Sequence, residues 1–208
     1  MESCSANLAR YERPLSAQEH QARSTVFRSS GLREQDYGVI FVQHPSQAMA
    51  VIGEVYPFSA QTMCLNCLGG EEEPIQDAAR RAGAKLISAP RTWLDLRIPG
   101  SQLSLNIRKS GGRSSTREGT ANRGLFAFPA TATSVGATGP NGTAARYSLH
   151  WVSEARRNGF LVLLDTSAII IGRESIALST HRPDFVLCSV APPTAYTRYY
   201  CLLFRRGA

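Results

Sequence analysis

The sequence predicts an α/β fold: a three-layer α/β/α sandwich around a mostly parallel sheet of about seven strands. Three observations lead there. Short apolar runs alternate with stretches of helical periodicity along most of the chain. One run, Phe160-Leu161-Val162-Leu163-Leu164, has no polar break, as expected of a strand covered on both faces. It stops at Asp165, and just upstream Ser148 to Asn158 reads as a helix that Gly159 ends in a left-handed conformation. Ligands of open α/β sheets sit outside the carboxyl ends of the strands, which makes Asp165 the leading candidate for a site residue.

The elements follow in order. Residues 1–33 form a polar segment in which Ser16 to Arg28 is a helix, with Ser16 as cap and Glu19 as its box partner. Gly38 to Val42 is a short buried strand. His44-Pro45-Ser46 opens a helix with proline in the first turn, where a missing N–H costs nothing, and Pro57 stops it. Met63 to Cys67 is a strand, broken by Gly69-Gly70. Glu71-Glu72-Glu73-Pro74 begins a helix with carboxylates at the positive end of its dipole; Arg80 and Arg81 lie in its last turn and Gly83 caps it. Lys85 to Ser88 is the next strand. Between Thr92 and Ile107 the alternation of Leu103, Leu105 and Ile107 suggests a short edge strand or hairpin arm. Gly124 to Pro129 is a buried strand, Thr131 to Ala145 a Gly-rich loop, and Ile169 to Arg182 a crossover. Asp184 to Ser189 and Tyr200 to Phe204 are the last two strands.

Composition narrows the class. At 208 residues with 43% hydrophobic content, one domain with a proper core is expected. No stretch approaches a membrane span, the N-terminus lacks the form of a signal peptide, and five cysteines without framework spacing suit a reducing compartment. The expectation is a soluble, cytoplasmic protein with no membrane partner. The formal charge is +7, and of 23 basic residues only Lys85 and Lys109 are lysines. Much of the excess falls in 108–123, where Arg108, Lys109, Arg113, Arg117 and Arg123 face only Glu118 among serines and glycines. That composition reads as a flexible basic loop; without interleaved aromatics it offers bases no stacking surface, and a nucleic-acid partner is not expected from it.

Motif search excludes more than it finds. Cys64-x-x-Cys67 is a single pair within a strand, which neither converges on a metal nor sits at a helix N-terminus, so it reads as core cysteine. His20, His44, His150 and His181 show no ligand spacing, and no metal site is expected. No nucleophile elbow or phosphate-cradling Gly-Lys loop occurs.

Taken as an ordered set, several stretches carry a resemblance. They are Ala22-Arg23 through Asp36-Tyr37-Gly38-Val39-Ile40-Phe41, Glu54-Val55-Tyr56-Pro57-Phe58, Ala82-Gly83-Ala84-Lys85, and Gly124-Leu125-Phe126-Ala127-Phe128-Pro129. Further on stand Arg146-Tyr147-Ser148-Leu149-His150-Trp151 with Leu163-Leu164-Asp165, and Arg182-Pro183-Asp184-Phe185 with Ser189, Tyr196-Thr197 and Cys201-Leu202-Leu203. The set resembles the aminotransferase class V group of pyridoxal-phosphate enzymes, specifically molybdenum cofactor sulfurase and its plant paralogues. The resemblance implies the large domain of the pyridoxal-phosphate-dependent transferase fold type I over 34–206, with the small domain absent, and a homodimer as in relatives of that fold.

The family's cofactor devices carry over unevenly. Asp165 falls where the carboxylate on the pyridine nitrogen is expected. The phosphate-binding run aligns with Val42-Gln43-His44-Pro45-Ser46, so His44 and Ser46 become candidate cofactor contacts, although Pro45 removes one donor. Ser189 aligns with the family's serine on the penultimate strand. The stacking histidine aligns with Cys67, which offers no ring. The Schiff-base lysine aligns with Pro192, so no catalytic residue is assigned.

Three readings follow. The first is a catalytically degenerate, sulfurase-like scaffold that binds a small or anionic ligand at the strand carboxyl ends. The second is an active sulfurase or cysteine-desulfurase-type transferase that holds pyridoxal phosphate non-covalently or borrows a partner's lysine. The third is a basic nucleic-acid-binding module.

Overall fold

The computed structural model describes residues 4–68, 74–88, 101–109, 124–131, 146–191 and 198–207. Its elements in chain order are α1 (Cys4–Ala9), α2 (Ala17–Ser30), a 3-10 turn (Glu34–Asp36), β1 (Tyr37–Val42), α3 (Pro45–Val55), β2 (Met63–Asn66), α4 (Pro74–Arg81) and β3 (Lys85–Ser88). Then come α5 (Ser101–Lys109), β4 (Gly124–Pro129), α6 (His150–Arg157), β5 (Phe160–Ile171), β6 (Phe185–Val190) and β7 (Tyr199–Arg205).

The strands form one seven-stranded sheet in the order β1-β7-β6-β5-β4-β2-β3. Neighbours from β3 through β6 pair parallel, whereas β7 pairs antiparallel with both β6 and β1. Since β7 reverses between them, β1 and β6 point the same way. The carboxyl ends of six strands therefore share one end of the sheet, with the start of β7.

Both faces are covered, which is why β4 and β6 show no polar alternation. On one face Ala22, Val26 and Phe27 of α2, Leu103 and Ile107 of α5, and Val152 and Ala155 of α6 pack on Phe126, Phe128, Val162, Leu164, Val186 and Leu203. On the other, Leu8 of α1, Ala48 and Ile52 of α3, and Ile75 and Ala79 of α4 pack on Leu125, Leu163, Phe185, Leu187 and Phe204. Helix, sheet and helix make the three layers.

Local chemistry sets several boundaries. Ser16 caps α2 through a full capping box with Glu19, and Gly31 closes that helix at φ 70°. α3 opens with Pro45 in its first turn after His44. Gly83 and Gly159, at φ 71° and 82°, let the chain leave α4 and α6 in left-handed turns before β3 and β5. Gly124 is required for another reason: a Cβ there would overlap the Met63 carbonyl oxygen across the β2–β4 pair.

Two sequence expectations are corrected. The alternating Leu103-Leu105-Ile107 is not strand but helix: Leu103 and Ile107, four apart, are buried on one face while Leu105 is 44% exposed. β5 does not stop at Asp165 but runs on to Ile171, through a register shift between Thr166 and Ile170 in its pairing with β6. The expected crossover accordingly begins beyond Ile171, and Arg108 and Lys109 end α5. The remainder of the basic loop, the Glu71–Glu73 run, most of 131–145 and Pro192 lie outside the described residues.

Candidate functional site

Asp165 pairs with Pro129, the last residue of β4, and with Leu187 of β6. It sits where the β4 ladder ends and its carboxylate, half-buried, reaches the carboxyl end of the sheet. One oxygen, Oδ1, accepts the Ser167 N–H at 2.9 Å. That local turn accompanies the register shift and aims the chain away from β4. The other oxygen has no hydrogen-bond partner among the described residues.

The remaining candidates share that end but not that spot. His44 caps α3 by backbone only, with no side-chain capping bond, and both His44 and Ser46 are exposed. Gln47 instead reaches back, its Oε1 accepting the Gln43 N–H at 3.0 Å. β1, which leads into this helix, is three strand positions from β5, or about 14 Å at the usual spacing. Ser189 is fully buried, and its hydroxyl donates to the Ile169 carbonyl at 2.9 Å, which pins the shifted part of β5 onto β6. That serine is used within the sheet.

Residues aligned with the stacking position offer no ring face. Cys67 is fully buried, and burial pushes its thiol well above the ordinary value. Cys64 and Cys67 face opposite sides of the sheet, one in each core, so the pair cannot close on a metal or form a redox couple. Asn66 is buried beside them with its Oδ1 accepting the Leu68 N–H at 2.9 Å. No group of three or more His, Cys, Asp or Glu among the described residues is placed to hold a metal ion.

Lys85 is far from Asp165. Lys85 opens β3 and shares a row with Met63, Gly124 and Phe160, at the amino ends of their strands. From there to Asp165 is five residues along β5 and three strands across, roughly 20 Å, which a four-carbon side chain cannot span. Lys109 closes α5, next to Arg108, whose Nη2 lies 2.8 Å from Glu154 of α6. The residues described thus include a carboxylate suited to a pyridine nitrogen, whereas Lys85 is out of reach and Cys67 offers no ring, and they do not fit a covalently anchored pyridoxal phosphate.

The opposite end of the sheet holds a group that sequence reasoning placed only inside a strand. Asp184 is fully buried, just before β6. Its Oδ1 accepts Arg205 Nε at 2.9 Å and Nη2 at 2.5 Å, its Oδ2 accepts the Val162 N–H at 3.0 Å, and Arg156 Nε stands 3.7 Å away. Close by, Tyr37 donates its hydroxyl to the Pro183 carbonyl at 2.8 Å; burial first, then the Asp184 charge, push that phenol up to about 12. The signal was present: a carboxylate directly before an apolar strand must find cations or leave the core.

Sheet order, the reversed β7 and helices on both faces define a class by fold: a mixed seven-stranded α/β sandwich that matches about half of each of several solved aminotransferases, a cysteine desulfurase and a serine palmitoyltransferase. Neither a protein-family model nor any curated protein matches it. Among solved structures it is similar to ureidoglycine-glyoxylate aminotransferase from Bacillus subtilis (TM-score 0.60, 15% identity, covering 96% of this chain and 48% of that one). It is similar, too, to apo cysteine desulfurase from Thermococcus onnurineus NA1 (TM-score 0.58, 13% identity, 98% and 50%). A third is serine palmitoyltransferase from S. paucimobilis with a bound PLP–myriocin aldimine (TM-score 0.55, 14% identity, 93% and 45%). The likeness is one of fold, and the chain spans about half the length of these enzymes. No helix among the described residues is long and apolar enough to cross a membrane.

Proposed function

We propose that this chain is a molybdenum cofactor sulfurase-like, aminotransferase class V-like protein that has lost the covalent chemistry of its relatives and serves as a binding or scaffolding domain. One observation carries the reading. The sequence holds two lysines, of which Lys85 lies roughly 20 Å from Asp165 and Lys109 closes α5, and the resemblance aligns Pro192 with the Schiff-base lysine. With no lysine of its own at that position, the chain has no amine there to form an aldimine by itself. The ligand expected at the carboxyl ends is a small molecule or an anion, met by the exposed start of α3 and the Ser46 hydroxyl.

A second reading rests on Asp165 itself. One of its oxygens has no partner among the described residues, so it is open to a protonated ring nitrogen, and pyridoxal phosphate held without a covalent bond would use it.

One experiment separates the two. The purified chain is incubated with pyridoxal phosphate and divided, half for equilibrium dialysis and half for borohydride reduction and peptide mass spectrometry. The scaffold reading expects no saturable retention and only weak reduced adducts at Lys85, Lys109 or the N-terminal amine. Saturable retention without an adduct, lost in Asp165→Ala, supports the second reading. A single stoichiometric adduct abolished by Asp165→Ala overturns the first.

A further inference from the structure

The end of the sheet opposite Asp165 carries a convergence of arginines that the cofactor reading does not use. Three elements meet on the loop 178–182. α2 ends there, with the Ser30 carbonyl accepting the Leu178 N–H at 2.9 Å, and Arg28 lies in the last turn of that helix. α6 ends there too: Arg156 Nη1 donates to the His181 carbonyl at 3.3 Å, and Ser153 Oγ lies 2.9 Å from His181 Nδ1. Arg157 follows in the same last turn. The loop contributes Arg182, and β7 delivers Arg205 to Asp184.

Charge at this spot is not balanced. Arg33 pairs with Asp36, Arg206 with Glu12, Arg23 with Glu34, and Arg205 with Asp184. Glu154, in the last two turns of α6, is likewise taken by Arg108. Arg156 shares Asp184 at 3.7 Å, and Arg28, Arg157 and Arg182 have no carboxylate partner among the described residues. Arg28, Arg157 and Arg182 are exposed, whereas Arg156 and Arg205 are each only 30% exposed and so fixed in place. Arg182 also sits at φ 43°, the one non-glycine residue described with a positive φ, and its Nε donates to the Ser179 carbonyl at 3.2 Å. A left-handed arginine is strained, and strain held in an exposed cationic loop points to a use for that side chain.

We propose that this arginine cluster at the amino end of β6 is a docking surface for the phosphate backbone of a nucleic acid. Backbone binding needs cations and no aromatic platform, so the argument against the 108–123 loop does not apply here. Guanidinium groups rather than ammonium groups suit it, because their fork matches phosphate oxygens in pairs. Two neighbours held rigid by Asp184 and backbone carbonyls lower the ordering cost of contact.

The test uses the full chain and a fluorescein-labelled 20-nucleotide single strand, followed by anisotropy across a salt series. The variant Arg28→Gln/Arg157→Gln/Arg182→Gly removes three exposed charges, and glycine at 182 accepts the left-handed turn. It is expected to bind about tenfold to a hundredfold more weakly at low salt, with the log–log salt slope shallower by about 2. Its melting temperature stays level or rises. Arg173→Gln/Arg198→Gln, outside this end, binds like the parent. The proposal is overturned if binding survives the triple variant but disappears in Arg113→Gln/Arg117→Gln/Arg123→Gln. It is equally overturned if the parent binds only vesicles containing phosphatidylserine, or if the triple variant loses stability and no binding, as arginines that merely balance helix dipoles would do.

Discussion

Two aspartates in one sheet illustrate opposite uses of a carboxylate. Asp184, at the amino ends, is fully buried and held by Arg205, the Val162 N–H and a nearby Arg156. Asp165, at the carboxyl ends, is half-buried with a single local bond to Ser167. A charge deep in the structure must be fully answered by its neighbours, since desolvation otherwise costs several kcal/mol. A charge left half-answered at the rim is available to something else. The contrast separates a carboxylate spent on holding the fold together from one with an oxygen left over among the described residues.

That contrast can be broken by mutation. The largest effect belongs to Asp184→Ala, which strands Arg205 and leaves the Val162 N–H unpaired; a loss of about 3–5 kcal/mol is expected in urea denaturation. A cost under 1 kcal/mol would place Asp184 with Asp165. Next comes Gly124→Ala, also at the amino ends, where the new Cβ overlaps the Met63 backbone. Backbone cannot rotate away, so about 1–3 kcal/mol is expected, read as a shift in denaturation midpoint with unchanged slope.

The start of α2 gives a smaller, pH-dependent effect. Burial by itself would raise the Glu19 carboxyl, but the Ser16 backbone N–H, Arg13 and the Ser16 hydroxyl hold it below its ordinary value. A lowered pKa stabilises the fold above the unfolded value of about 4.3, and that contribution is lost as pH falls through the lower folded value. Melting temperatures followed from pH 7 to about pH 3 should therefore fall more steeply in the parent than in Glu19→Gln. Ser16→Ala, which removes the cap, should cost about 1 kcal/mol at neutral pH. Smallest of all is Asp165→Ala, within about 0.5 kcal/mol of the parent. A large loss there would mean that the rim carboxylate is structural after all.

How far the sequence could be read depended on whether a local signal had one physical meaning. Ser16 with Glu19 three residues on has one, and so do Pro45 at a helix start and glycines after α4 and α6; all three appear in the structure as the sequence implied. Leu103-Leu105-Ile107 has two, because positions 103 and 107 fit both a strand of period two and a helix turn. Tertiary packing chose the helix by burying those two and leaving Leu105 out. The length of β5 was hidden for a similar reason: a polar residue after an apolar run looks like an end, yet Asp165 pairs with the last residue of β4 and β5 runs on beyond it. Asp184 and Arg205 are distant in sequence and meet only because β7 runs antiparallel beside β6, a pairing that no local pattern announces.

The reversed strand has a consequence for how the protein is made. Among the described strands β1 is synthesised before the others and β7 after them, yet each is the other's neighbour. Until β7 arrives, Tyr37 to Val42 is an apolar ribbon with an open hydrogen-bonding side, free to seek other chains. The central strands can pair beforehand in roughly the order they emerge, but the edge closes by an insertion that joins early and late segments at once. Assembly of this sheet is therefore gated by its final strand, and the span of time before that insertion is when the growing polypeptide most needs shelter from its own kind.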